Sequence, residues 1–405
     1  YVTGNNTIYE GIKQLKAGEY LVYNKISQKV SLKRYFTPKA ICQKAMANKD
    51  KSISELHTIL NVIFGELLKS LDNRLVVLPL SGGYDSRLIA LYLKEMGYND
   101  VICFTYGNSM HTEVRISREV ANYLGYEWHF VPHHGKELYY KFNSSLADKY
   151  RVFANNLSTI PHIQDWYAVA KLKEDGIIPN NSIFIPGHTA LLSFAGLTAN
   201  DLDMDIANYI FNKHYTLWSK DSYGNELVKK YKRKISKEMD QMFGNKKGQD
   251  KYSLTDGIYY WEWQERHAKF ICNSVRVYEF FNFEWRLPLW DKRLIKHWAG
   301  TSDKNKIEKQ LLKDYMDCDF KIPVTQANPS RGILTKITDK LSSRSYLSRY
   351  SGNRNILTAP FMRVKEVSEH YRDVPFIDGN RLIVLTKRNR LAVLRGLNSI
   401  LTGSK

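Results

Sequence analysis

The clearest hydrophobic pattern lies in the first third of the chain. An apolar run at 75–80 leads into a Ser-Gly-Gly turn, and a helix-periodic segment follows from Arg87. Two more apolar runs, at 101–107 and 127–131, have a second helix-periodic segment, 112–124, between them. Strands that alternate with helices at this spacing predict right-handed crossovers and a parallel sheet. The predicted fold class is therefore α/β, a twisted parallel sheet flanked by helices.

Weaker patterns flank this region. Two short strands are predicted at 19–23 and 30–35, and residues 53–71 have the 3.6-residue period of an amphipathic helix. Further predictions, in chain order, are a helix at 166–175, a short strand at 182–185, a mostly helical C-terminal part from 200 to about 320, and a helix at 388–400.

Charge and cysteine content limit the classes of protein to consider. The net charge of +19 is uneven, with 15 Lys and Arg against 5 Asp and Glu in 331–405 and a second basic cluster at 229–234. Such clusters are most often solvated helix faces. The alternative is that they bind anionic substrates, lipid headgroups or RNA.

The four cysteines contain no CxxC pair, which argues against zinc and a disulfide scaffold and favours a reducing cytoplasm. No apolar run is long enough to span a membrane.

The Ser-Gly-Gly turn carries the clearest chemistry. Gly82 and Gly83 permit positive φ angles and close approach of a ligand, and amide groups at a helix N-terminus favour anions. Ser81 and Ser86 add hydroxyl donors. Asp85 would repel a bare phosphate, so its presence indicates a bridging Mg²⁺. The alternative is a plain strand-turn-helix connection in which Asp85 caps the helix.

The six residues SGGYDS resemble the pyrophosphate loop of the ATP pyrophosphatases, and longer blocks resemble the asparagine synthetase family, including its polysaccharide-cluster members. FTYGN at 104–108 and TEVRISREVANYLG at 112–125 are similar to family segments. Residues 283–298 match the family's E-x-R-x-P-x-x-D segment, and 303–315 match its G-K-x-x-L-R-type helix, with Lys306 as the conspicuous lysine. Residues 7–36 resemble the hairpin that joins the two halves of these enzymes.

The resemblance implies a domain organisation. Residues 1–36 would be a β-hairpin linker from an N-terminal glutaminase-like domain that the sequence does not contain. Residues 37–325 would be the synthetase domain of the adenine-nucleotide alpha-hydrolase-like class, and 326–405 a basic extension whose partner would be an anionic surface.

The resemblance also implies an AMP-forming amide ligase that uses ATP and Mg²⁺. Ammonia from a glutaminase domain, or a substrate amine, would attack an adenylated carboxylate. By this resemblance, the pyrophosphate would lie on residues 81–83 and Ser86, the metal on Asp85, and Lys306 would neutralise developing charge. The adenosine pocket would be lined by main chain near Leu80, Tyr106, Pro186 and Gly187.

One segment departs from the family. The family sequence S-G-E-G-x-D-E supplies a catalytic Glu and a metal-binding Asp, and here His188 and Leu191 stand at those positions. Three explanations remain open: Asp85, phosphates and water hold the metal alone; a carboxylate of Asp201, Asp203 or Asp205 reaches in; or adenylation has been lost. His188 is a candidate general base for the amine.

The leading hypothesis is a cytoplasmic ligase that amidates a small-molecule, sugar or peptide carboxylate, with a polysaccharide uronic acid favoured over free aspartate. The alternatives are an intramolecular amide-forming cyclase and a degenerate nucleotide-binding scaffold. An RNA-modifying enzyme is disfavoured, so no specific nucleic acid is expected. The oligomeric state does not follow from the sequence.

Overall fold

The computed structural model describes residues 1–38, 48–189, 204–215, 220–243, 254–306 and 309–319, with strand backbone at 376–378 and 381–383. The strands are β1 (Glu19–Asn24), β2 (Lys29–Arg34), β3 (Val76–Pro79), β4 (Val101–Gly107), β5 (Glu127–Pro132), β6 (Ile183–Phe184), β7 (Glu284–Trp285), β8 (Phe376–Asp378) and β9 (Arg381–Ile383). The α-helices are α1 (Lys49–Lys69), α2 (Tyr84–Glu95), α3 (Thr112–Leu124), α4 (Lys136–Phe142), α5 (Ser145–Ala154), α6 (Trp166–Glu174), α7 (Ile206–His214), α8 (Lys220–Phe243), α9 (Leu254–Trp261), α10 (Arg276–Phe280), α11 (Lys292–Gly300), α12 (Asp303–Lys306) and α13 (Gln310–Asp319). A π-helix at Glu262–Ile271 and a 3₁₀ turn at Cys272–Val275 join α9 to α10, and a second 3₁₀ turn lies at Pro288–Trp290.

A five-stranded sheet lies at the centre, with the order β5-β4-β3-β6-β7. All four neighbouring pairs run parallel. Helices connect the strands, as parallel pairing requires. The predicted fold class, a parallel sheet flanked by helices with a mostly helical later part, is confirmed.

The sheet is covered on both faces. Because successive strand residues point to opposite sides, Leu78 belongs to one buried apolar cluster and its neighbour Val77 to the other. The first cluster includes residues of α1, α2, α3, α9, α11 and α13. The second includes residues of α4, α5, α6 and α10. This double coverage explains why the central strands read as continuous apolar runs.

Most of the predicted elements are present. The predicted bounds of β4 and α3 agree with the structure, while α2 begins at Tyr84, three residues before the predicted Arg87. The helices α4 and α5 and the strand β7 were not predicted. The helix predicted at 388–400 lies outside the described residues.

The early hairpin is present as an antiparallel pair, β1 with β2. Nearly all of its side chains are exposed, including Tyr23 and Leu32. The predicted division of the chain at 36 and 325 stays a prediction. Of the described helices, none combines the length and apolar character needed to cross a bilayer.

Candidate active site at the carboxyl edge of the sheet

The strand order creates a crevice at one edge of the sheet. From β3 the chain builds outward through β4 and β5, and then crosses to place β6 on the other side of β3. The strands β3 and β6 are neighbours, and the loops that follow them lead into different halves of the sheet. In open α/β sheets, ligands bind outside the carboxyl ends of the strands at such a switch point. The SGGYDS segment and the segment 186–189 both lie there.

Hydrogen bonds within the first loop fix its shape. The Ser81 amide donates to Ser86 Oγ over 3.0 Å, and the two hydroxyl oxygens are also 3.0 Å apart. The Gly83 amide donates to Ser81 Oγ over 3.1 Å. Gly83 is the N-cap residue of α2 and supplies no capping side chain. The first amides of α2 therefore have no side-chain cap, as an anion-binding helix N-terminus requires.

Gly82 and Gly187 allow neighbouring backbone segments of the site to pack closely. Gly82 and Gly83 do not use the positive φ that glycine permits, since neither is among the residues with positive φ and Gly83 has φ −74°. A Cβ on Gly82 would lie 2.8 Å from Glu113 Cα. A Cβ on Gly187 would lie 2.7 Å from the Ser86 amide nitrogen. Glycine is needed here because backbone of α3 and of the segment after β6 presses against the loop.

Asp85 lies in the first turn of α2, and its two carboxylate oxygens differ in their hydrogen-bond partners. Its Oδ2 accepts a hydrogen bond from the Lys309 ammonium group. Its Oδ1 is buried and has no hydrogen-bond partner in the described part of the chain. Burial raises the pKa of Asp85, and the positive charge of Lys309 opposes this rise. Among the described residues, one buried oxygen of Asp85 is thus left without a partner and is available to a ligand.

The lysine paired with Asp85 is Lys309, and the predicted role of Lys306 in neutralising charge stays a prediction. Lys306 is buried, donates to the Ala299 carbonyl at 3.2 Å and lies over the Tyr259 ring. A sequence signal for Lys309 did exist. The pattern G-K-x-x-L-R, shifted by three residues, falls on 308–313. Lys309 is its lysine and Leu312 its leucine, while Glu308 stands in place of its glycine and Lys313 in place of its arginine.

His188 is close enough to two carboxylates for their charges to act on it. Its Nδ1 is 2.7 Å from Ser274 Oγ, and its ring centroid is 5.9 Å from that of His162. Burial lowers the pKa of His188, and the negative charges of Asp165 and Asp85 oppose the change. The structure therefore places His188 near Asp85, as its position after β6 had suggested.

Asp165 is a buried acid of the site that was not predicted from the sequence. It accepts hydrogen bonds from the Tyr106 hydroxyl at 2.5 Å and the Tyr278 hydroxyl at 2.8 Å. Burial acts to raise the pKa of Asp165, but His188, His162 and the two hydroxyl groups together hold it below its ordinary value. No sequence motif marks this residue, because its partners come from distant segments.

The expected adenosine-pocket residues lie along the same edge. Leu80 is buried directly after β3, and Pro186 is buried two residues after the end of β6. The Leu80 amide donates to the Phe104 carbonyl at 2.9 Å, and its carbonyl accepts from the Thr105 hydroxyl. The Tyr106 ring stacks on His133 with centroids 4.5 Å apart. Their predicted role with adenosine stays a prediction.

The described residues contain no group of three or more His, Cys, Asp or Glu side chains suited to a metal. Leu191, Asp201 and Asp203 lie outside the described residues. Asp205 caps α7, where it accepts from the Asn208 amide at 3.0 Å. The free Oδ1 of Asp85 fits a Mg²⁺ that takes one protein oxygen and completes its shell with phosphates and water.

The E-x-R-x-P-x-x-D segment lies elsewhere. Glu284 begins β7 and pairs with Arg74, which precedes β3, at 2.5 Å. Arg286 donates to Ser70 Oγ at 3.2 Å, and Asp291 caps α11. Because Arg74 and Glu284 lie at the starts of their strands, these contacts stabilise the edge of the sheet opposite the crevice.

Comparisons with known proteins agree with the sequence resemblance over part of the chain. Residues 71–177 match the family model described as asparagine synthase. No curated protein matches the sequence. One similar solved structure is the NH3-dependent NAD synthetase from Campylobacter jejuni subsp. jejuni NCTC 11168 in complex with the nitrate ion. It is 14% identical, with 50% of this chain and 100% of that chain covered and a TM-score of 0.23. Residues 71–177, which hold the SGGYDS loop, are thus similar to the asparagine synthase family.

Proposed function

We propose that the protein is an AMP-forming ligase that adenylates a carboxylate and transfers ammonia or an amine to it. The family that residues 71–177 resemble is one of amide-forming ligases that use ATP. The observation that carries the proposal is the Asp85 carboxylate at the switch point. Lys309 binds one of its oxygens, and the other is buried without a partner among the described residues.

In the first step, a substrate carboxylate oxygen attacks the α-phosphorus of ATP, and the bond to the β-phosphate oxygen breaks. Negative charge develops on the departing pyrophosphate. The uncapped amides of α2 and the Ser81 hydroxyl hold that pyrophosphate, and Lys309 lowers the energy of its charge. Mg²⁺ on Asp85 Oδ1 would supply further neutralisation of phosphate charge.

In the second step, the amine forms a bond to the acyl carbon and AMP leaves. The amine must lose a proton, and His188 is the base we assign to it. Burial keeps His188 neutral near pH 7, which is the form that accepts a proton.

The proposal is tested by ATP–pyrophosphate exchange with a panel of acids that includes uronic acids, acidic peptides and aspartate. Hydroxylamine serves as the amine, because its amide product is coloured with ferric iron. We expect one acid class to support both exchange and product. Asp85→Asn should abolish both reactions, while Asp148→Asn, at an exposed carboxylate of α5, should leave them unchanged. Nucleotide binding without exchange on any acid would favour the scaffold function and overturn the proposal.

A further inference from the structure

The Ser274 hydroxyl has two partners but only one proton. Its oxygen lies 2.6 Å from the Ile271 carbonyl oxygen and 2.7 Å from His188 Nδ1. A carbonyl oxygen can only accept, so the short contact to Ile271 requires the Ser274 proton. The contact to His188 is then a hydrogen bond only if Nδ1 carries a proton and donates it to Ser274.

This assignment fixes which ring nitrogen of His188 can act as a base. In neutral imidazole one nitrogen carries the proton and the other carries the lone pair. With the proton on Nδ1, the lone pair is on Nε2. The described part of the chain gives Nε2 no hydrogen-bond partner.

Ser274 is held rigidly enough for this role. It is fully buried in the 3₁₀ turn between the π-helix and α10. The neighbouring Asn273 amide donates to the Ala154 carbonyl at 2.5 Å, which ties the turn to α5. The turn therefore presents the hydroxyl to His188 from a fixed position.

We propose that Ser274 is a positioning residue that holds His188 with its proton on Nδ1, so that Nε2 takes the proton of the attacking amine. This inference rests on the proposed function. In the step concerned, the amine nitrogen bonds to the acyl carbon, the bond to AMP oxygen breaks, and one amine proton passes to Nε2.

The first test is ¹⁵N NMR of the histidine-labelled full chain, with the His188 signals assigned by their loss in His188→Gln. We expect Nδ1 to be the protonated nitrogen in the unmodified protein and this preference to be lost in Ser274→Ala. A proton on Nε2 in the unmodified protein overturns the proposal, and this measurement needs no variant of Ser274.

The second test separates the two chemical steps. Ser274→Ala should slow amide formation about tenfold while acid-dependent ATP–pyrophosphate exchange changes little, and His188→Gln should slow amide formation about 100-fold. The control is Ser182→Ala, because Ser182 is equally buried and donates to the Pro179 carbonyl at 2.7 Å, with no histidine partner among the described residues. Equal loss of both steps in Ser274→Ala means a structural role and overturns the proposal. Absence of exchange with any acid overturns the proposed function, and the NMR result still decides the tautomer.

Discussion

Lys309, which pairs with Asp85, has an uncommon backbone conformation. Lys309 has φ 60°, in the left-handed region, directly before α13. For a residue with a side chain this conformation costs about 1–2 kcal/mol. Such strain persists only where the surrounding structure holds it, and it is frequent at functional sites. Here it accompanies the ion pair that completes the candidate site.

The two lysines of this segment allow a direct comparison. We expect Lys309→Ala to lower acid-dependent ATP–pyrophosphate exchange by about 100- to 1000-fold, because one cation is removed from the leaving group. Lys306→Ala should act mainly on stability, since Lys306 is buried against the Tyr259 ring. Exchange rates and urea unfolding of both variants provide the measurement. A larger loss of exchange in Lys306→Ala would return the role to Lys306.

Gly187 offers a second test at this scale. Gly187→Ala should destabilise the protein by about 1–3 kcal/mol, because its Cβ would overlap the Ser86 backbone, which cannot swing aside as a side chain can. The control is Gly65→Ala, in the interior of α1 with nothing within 4 Å of the added Cβ. That change should stabilise by about 0.5–1 kcal/mol. Urea unfolding measures both, and equal effects would contradict the packing argument.

At the scale of elements, the sequence predicted what short-range patterns determine. The bounds of β4 and α3 were correct because an apolar run and a 3.6-residue period each end at clear breaks. β7 was missed because two residues cannot show an alternating pattern. The strand order depends on long-range packing, which no local pattern reports.

The same limit applies to the candidate site. Its loop was recognised from six consecutive residues. Asp165 and Ser274 were not, because each reaches the crevice from a different part of the chain and acts through a tertiary contact. Lys309 was missed for another reason: the family pattern also falls on Lys306, three residues earlier, and only the ion pair with Asp85 distinguishes the two lysines.

The π-helix makes a buried ion pair that can be tested as an element-scale prediction. All three protons of the Lys269 ammonium group are used, by Glu265 at 2.6 Å and by the Val2 and Gly4 carbonyls at 2.8 and 2.6 Å. Lys269→Met should cost about 3–5 kcal/mol, because Glu265 would remain charged and buried without its partner. Denaturant unfolding provides the measurement.

Two further variants isolate the charge. Adding Glu265→Gln to Lys269→Met should recover part of the loss, because glutamine is neutral and still accepts from the Gly4 amide. Lys171→Met removes a partly exposed pair with Asp175 and should cost less than about 1 kcal/mol. A loss of the same size for Lys171→Met and Lys269→Met would rule out the burial explanation.

At the scale of the whole molecule, buried neutral histidines couple stability to pH. Burial lowers the pKa of His133 and of His267 to about 3, and that of His162 to about 4. The unfolded chain binds protons at these residues near pH 6.5, before the folded chain does. The contribution of these neutral histidines to the free energy of unfolding is therefore complete above about pH 6.5, and it is lost as the pH falls toward 4. Each histidine adds up to about 1.4 kcal/mol per pH unit to this loss.

His133→Phe tests this coupling without breaking a hydrogen bond, since neither ring nitrogen of His133 has a partner in the described structure. Phenylalanine keeps the stacking on Tyr106, so stability at pH 7 should be unchanged or higher. Between pH 6 and 4.5, the free energy of unfolding should fall less steeply than in the unmodified protein, by up to about 1.4 kcal/mol per pH unit. His134→Asn, at the exposed neighbouring residue, should leave the slope unchanged. Denaturant unfolding at several pH values measures the slopes, and equal slopes for His133→Phe and the unmodified protein would show that His133 takes no part.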